Sequence, residues 1–144
     1  MKTLTLTIAL LFASLFNIGR ADDVVISVNE LPKTAQIFIA THFDGLEIAY
    51  AKKDDGEYEV KFSNGYSVEF NRRGDWKEVD CNNDPVPESV IALIPNAIPQ
   101  YIANAFPKAA ITKVQKERRH YEIELNNDLD LEFTSDGVLC DIDN

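Results

Sequence analysis

Residues 64–76, NGYSVEFNRRGDW, and residues 127–139, NDLDLEFTSDGVL, each read as two strands joined by a glycine turn, and they stand 63 positions apart. Turn length decides which side chains share a face. A two-residue Asn64-Gly65 turn would pair Ser63 with Tyr66 and set polar against apolar. A three-residue loop, Ser63-Asn64-Gly65 with Gly65 left-handed, pairs Phe62 with Tyr66, Val60 with Val68 and Tyr58 with Phe70 instead. The hydrophobic pattern selects the longer loop. The same register in the second stretch pairs Leu125 with Leu129, Ile123 with Leu131 and Tyr121 with Phe133. Further turns at Arg72-Arg73-Gly74 and Ser135-Asp136-Gly137 add one strand to each hairpin, pairing Phe70 with Trp76 and Phe133 with Leu139. Val79 falls out of phase with Trp76, which predicts a bulge near Lys77 or Glu78.

The offset of 63 holds well beyond the hairpins. It sets Leu31-Pro32 against Ile94-Pro95, Ile39-Ala40 against Ile102-Ala103, Phe43 against Phe106, and Tyr58-Glu59 against Tyr121-Glu122. A constant offset through helical, extended and turn patterns predicts a tandem repeat. In the first unit Pro32 opens a helix, and Leu31, Ala35, Phe38, Ile39 and Phe43 recur at helical spacing until Asp44-Gly45 stops it. In the second unit the helix starts at Asn96, which puts Pro99 in the first turn, and Pro107 ends it. A first strand follows each helix, at Glu47 to Lys52 and at Ala110 to Gln115. The expected fold is α+β: two units of a helix plus a four-stranded antiparallel meander, with the helices on the apolar face. The division is 22–81 for the first repeat, 82–93 for a linker with a short helix from Pro87 to Leu93, and 94–144 for the second repeat.

Residues 1–21 stand apart from this scheme. Lys2, the apolar run from Leu4 to Phe16 and the small residues Gly19 and Ala21 read as a secretory signal peptide. The expected product is periplasmic or secreted, without membrane insertion after cleavage. About 120 residues then remain, a length that commonly forms one domain. The formal net charge is −10 for the whole sequence, and it becomes more negative once Lys2 and Arg20 are removed. That charge repels nucleic acid and anionic membranes, and it suits a basic protein or peptide, or a cation.

The runs LPKTAQIFIATHF and YEVKFSNGYSVEFNRRGDWKEVD resemble the PepSY-like family of exported bacterial proteins, which is similar in fold to the beta-lactamase-inhibitor protein. The markers are Leu31-Pro32, Phe43, Tyr58-Glu59-Val60, Gly65, Gly74-Asp75-Trp76 and Val79-Asp80, and the resemblance covers nearly all of the mature chain in two copies. The second copy departs from it at Asp128, in place of the turn glycine, and at Leu139, in place of the tryptophan. The resemblance implies helices on a sheet, with the two sheets joined into one concave surface, and a binding or inhibitory role. Inhibition of a lactamase does not transfer with a fold.

The outward sheet face carries the candidate site. Glu59 is expected to face Glu69, Glu122 to face Glu132, and Glu124 to face Asp130. Like charges directly opposite one another destabilise a sheet. In the first unit Lys77 is expected beside Glu69, with Lys61 on the same face; in the second, Cys140 and Glu124 take those places, leaving the acids less compensated. Such a stripe reads as a site for a basic partner, as a cation site, or as a solvated face. Calcium wants about six to eight converging oxygens. The one local loop that could contribute, Asn126 to Asp130, lacks EF-hand spacing and its glycine. Tyr50 is a candidate interface anchor or an ordinary core tyrosine, while Trp76 reads as core. No cofactor is expected. His42 and His120 belong to no catalytic motif, and no nucleophile elbow, metalloprotease or phosphate-binding signature occurs, so the expected role is non-catalytic. Cys81 and Cys140 are candidates for a disulfide closing a loop of about 60 residues, with free thiols or intermolecular pairing as the alternatives.

Overall fold

The computed structural model describes residues 23–144; the signal-peptide reading of 1–21 lies outside them. Nine strands form one antiparallel sheet in simple chain order, and the sheet is not closed. The strands are β1 (Asp23–Ile26), β2 (Ile48–Asp54), β3 (Glu57–Phe62), β4 (Ser67–Phe70), β5 (Trp76–Asp80), β6 (Ile111–Lys116), β7 (His120–Leu125), β8 (Asp130–Thr134) and β9 (Leu139–Asp143). Three helices cover one face: α1 (Lys33–His42), α2 (Glu88–Ile91) and α3 (Ala97–Ala105). The architecture is α+β, as the alternation of the sequence predicts.

The expected registers hold. Val60 pairs with Val68 and Tyr58 with Phe70, and in the second half Ile123 pairs with Leu131 and Tyr121 with Phe133. The loops close as three-residue turns, with the Phe62 N–H donating to the Tyr66 carbonyl at 2.8 Å and that of Leu125 to Leu129 at 2.9 Å. Gly65 is left-handed at φ 96°, and Asp128, standing where the second half lacks glycine, adopts φ 68°. Aspartate tolerates that region better than most side chains, so the loop survives the change.

Bulges occur at matching places. Lys77 is the extra residue between the Glu69–Glu78 and Phe70–Trp76 pairs, and Cys140 is the extra residue between Glu132–Asp141 and Phe133–Leu139. A second pair of irregularities falls at Ala49 and Thr112.

One feature lay outside the expectation. The strand β1, with Val24 and Val25 exposed, adds an edge to the sheet and pairs with β2. The halves form one continuous sheet, in line with what the resemblance implies, because β5 pairs with β6 through Glu78–Gln115, Val79–Val114 and Asp80–Lys113.

The core lies between this sheet and the helices. Val60, Val68, Phe70, Val79, Val114, Ile123, Leu131 and Phe133 project from the strands and are buried. Burying each such side chain stabilises by about 1.5–3 kcal/mol relative to exposure. From α1, Phe38 meets Phe70 edge-on at 5.7 Å and stacks on Trp76 at 6.0 Å between ring centroids. From α3, Tyr101 meets Phe133 edge-on at 5.8 Å. Every helix therefore sits on the apolar face, and the opposite face is left to solvent and charge.

Candidate functional site

Because the strands pair in unbroken order, cross-strand neighbours on the uncovered face line up across the whole sheet. One row runs Lys52, Glu59, Glu69, Glu78, Gln115, Glu122, Glu132, Asp141. A second row, two residues along each strand, includes Asp80, Lys113, Glu124, Asp130 and Asp143. The 63-residue offset turns Glu59, Glu69 and Glu78 into Glu122, Glu132 and Asp141. Each half thus carries three carboxylates side by side.

Two of the first set, Glu59 and Glu78, are held by cations. The Lys52 ammonium lies 3.5 Å from Glu59 and 3.6 Å from Asp23, and Lys113 lies 3.6 Å from Glu78. Lys77 does not stand beside Glu69, contrary to the sequence expectation. The bulge displaces it by one position, so that Glu78 faces Glu69, while the Lys77 ammonium reaches Glu57 at 2.8 Å. The out-of-phase Val79 held the signal for this shift, which follows once the bulge is carried through the register.

Glu78 consequently has an unusual acidity. Burial pushes its carboxyl up to about 7; Lys113 opposes the rise, and the neighbouring Glu69 and Asp80 carboxylates add to it. For Lys113, burial works against the charge, but Glu78, Asp80 and Glu124 outweigh it and the ammonium is held above its ordinary range. Lys113 thereby spans the junction between the halves.

In the second half Gln115 stands where Lys52 stands in the first. The structure brings the predicted residues Glu122, Glu124, Asp130 and Glu132 around one open hollow of about 400 Å³, and adds Asp141 and Asp143, which the sequence reading missed. Burial raises the Glu124 pKa, Lys113 lowers it, and Asp130 and Asp80 raise it further. Glu59 and Glu69 lie on the same face but line a different hollow with Glu57. Tyr50 is partly exposed, at 38%, at the first-half end of the face. Trp76 is buried, with the Lys116 ammonium 4.6 Å from its ring centroid.

No disulfide joins Cys81 to Cys140; both thiols are free. Cys81, just beyond β5, points into the core, whereas Cys140 lies exposed on β9. Four strand spacings separate those positions, about 19 Å at roughly 4.8 Å each, and a disulfide requires Cα atoms within about 7 Å. Of the two histidines, His42 presents Nδ1 to the Ser89 Oγ at 2.7 Å, linking α1 to α2, and burial lowers its pKa. His120 opens β7 on the acidic face.

These features define an open α+β sheet protein that buries one face under helices and displays a carboxylate-rich face on the other. The chain belongs to the PepSY-like family, described as "Putative beta-lactamase-inhibitor-like, PepSY-like", with the match covering residues 56–141 and running across both halves. A Bacteroides vulgatus structure described as a "putative periplasmic protein" of the DUF2874 family is 39% identical with a TM-score of 0.80, the alignment covering 88% of this chain and all of that one. A Bacteroides thetaiotaomicron structure, described as a "putative calcium-regulated periplasmic protein", is 40% identical with a TM-score of 0.78, over 85% of this chain and 97% of that one. A second Bacteroides vulgatus protein, of unknown function, is 35% identical with a TM-score of 0.77, over 85% of this chain and 99% of that one. No protein of curated function matches.

Proposed function

We propose that this protein is an exported, non-catalytic binding module that receives a basic protein or peptide segment on the acidic half of its uncovered sheet face. The observation that carries this reading is the hollow bordered by Glu122, Glu124, Asp130, Glu132, Asp141 and Asp143, which has Lys113 as the one cation among its lining residues. A volume of about 400 Å³ exceeds what a bare ion fills and suits lysine or arginine side chains. Relatives at 35–40% identity described as periplasmic support export. The lactamase-inhibitor part of the family description is a likeness of name and fold, and no lactamase target is proposed.

The test is capture from a native envelope extract by the wild-type protein and by a Glu124→Lys/Asp130→Lys variant, with equal folding checked by circular dichroism. A partner held by the wild type, released at about 0.5 M salt and lost by the variant supports the reading, since screening lengths fall to a few ångströms at high salt. Equal capture by both proteins, or capture by neither, overturns it.

A second reading is a calcium-sensing role for the same face. It is favoured by the calcium-regulated description of the 40% identical relative. Millimolar calcium would then raise the melting temperature, as any ligand selective for the folded state does. An unchanged melting temperature rejects it.

A further inference from the structure

The two halves differ at one point where the chemistry of the side chains changes class. In the first half, Glu57 and Glu59 project from β3 on one face, Glu69 lies opposite Glu59, and the Lys77 ammonium sits 2.8 and 3.0 Å from the two Glu57 oxygens. The carboxylates have a built-in cation. In the second half the positions 63 residues on are His120, Glu122, Glu132 and Cys140. Glu122 faces Glu132 as Glu59 faces Glu69, and Cys140 is the bulged residue as Lys77 is. An imidazole has replaced the first carboxylate, and an uncharged thiol has replaced the ammonium.

That exchange removes the internal cation and adds a nitrogen ligand. One imidazole nitrogen of His120 and one carboxylate oxygen each from Glu122 and Glu132 lie within 4.8 Å of one another. Among the described residues, no side-chain hydrogen bond or ion pair engages any of the three. Ligands around a four-coordinate zinc stand roughly 3.3–3.5 Å apart, so closing the set takes movements of about an ångström. Glu122, the exposed member, has room to make them. The backbone is already placed, because His120 and Glu122 alternate onto the same face of β7 and Glu132 is directly opposite on β8.

We propose that His120, Glu122 and Glu132 form a binding site for a divalent first-row transition ion of the zinc class, with water completing the coordination. The imidazole sets the preference. Calcium and magnesium favour all-oxygen shells with more donors than this set provides, whereas imidazole suits zinc and its neighbours. The inference goes beyond the partner reading and does not depend on it, since it turns on His120 rather than on Glu124 and Asp130.

The test is calorimetric titration of the full chain with zinc chloride in metal-free buffer, in a Cys140→Ser background so that the exposed thiol does not itself capture metal. The expected result is one ion per chain, with a Kd at least tenfold tighter than that for calcium. His120→Ala and, separately, the near-isosteric Glu132→Gln are expected to weaken zinc binding tenfold or more, while Glu124→Gln leaves it within about twofold. No zinc binding, or zinc binding unchanged in either His120→Ala or Glu132→Gln, overturns the proposal. Should His120→Ala fail to fold, Glu132→Gln decides alone. Loss of partner capture in the Glu124→Lys/Asp130→Lys variant leaves this result untouched, so the two readings fail separately.

Discussion

Gly74 lies directly against Pro32: a Cβ built on Gly74 would stand 2.6 Å from the Pro32 Cβ and 3.1 Å from the Ala35 backbone nitrogen. The turn between β4 and β5 is thereby seated on the first turn of α1. The matching glycine, Gly137, sits on Pro95 and Ala97, at 3.1 and 3.0 Å. Both glycines are left-handed, at φ 89°. The turns serve as docking points for the helices as well as chain reversals, which explains why each half has a glycine there.

Gly74→Ala is therefore expected to destabilise the fold by about 2 kcal/mol or more, combining left-handed strain with the clash against Pro32. Gly137→Ala should cost less, about 1–2 kcal/mol, because its neighbours need to yield only a few tenths of an ångström. Urea-unfolding midpoints of the two variants check the order. Equal midpoints to wild type would show that the turn is not seated as described.

Glu78 gives the protein a pH dependence of a definite sign. Its carboxyl titrates near 7 in the folded chain against an ordinary value of 4.5. A raised acid favours the fold while it is protonated. The contribution is full below 4.5 and is lost as pH rises through about 7. Glu78→Gln should accordingly stabilise the protein at pH 8 by about 1–2 kcal/mol and flatten its melting temperature between pH 5 and 8, the amount reduced by the lost contact to Lys113. A variant as pH-dependent as the wild type would assign the effect to other groups.

The thiols should react in two stages. Cys140 is exposed, while Cys81 is buried and its thiol is pushed up to about 12, by burial first and by Asp80 and Asp84 second. One equivalent of a thiol reagent is expected to react with the native protein and a second only after denaturation. Two fast equivalents would contradict the burial of Cys81.

Phe38 is the keystone of the first aromatic cluster, touching Phe43, Phe70, Trp76 and His42. Phe38→Ala should cost about 3–4 kcal/mol, because it removes the ring that packs on Phe43, Phe70 and Trp76 and leaves a cavity beneath α1. Thermal unfolding measures it, and a loss under 1 kcal/mol would mean that the helix repacks.

The α+β class, the three-residue hairpin loops, the helix starts at Pro32 and Asn96, and the bulge after Trp76 are all legible in the chain before it folds. Glu122, Glu124, Asp130 and Glu132 are legible there as one cluster too. All of these follow from local periodicity: side chains two apart on a strand share a face, and burial forces the register. The joining of β5 to β6, the edge strand β1, the reach of the Lys77 ammonium to Glu57, the separation of the two cysteines, and the entry of Asp141 and Asp143 into the hollow come only from the folded chain. Those depend on distances between residues remote in the chain and on how much water each charge retains. Periodicity carries neither, so the carboxylates could be read from the strands while their compensation could be read only from the folded sheet.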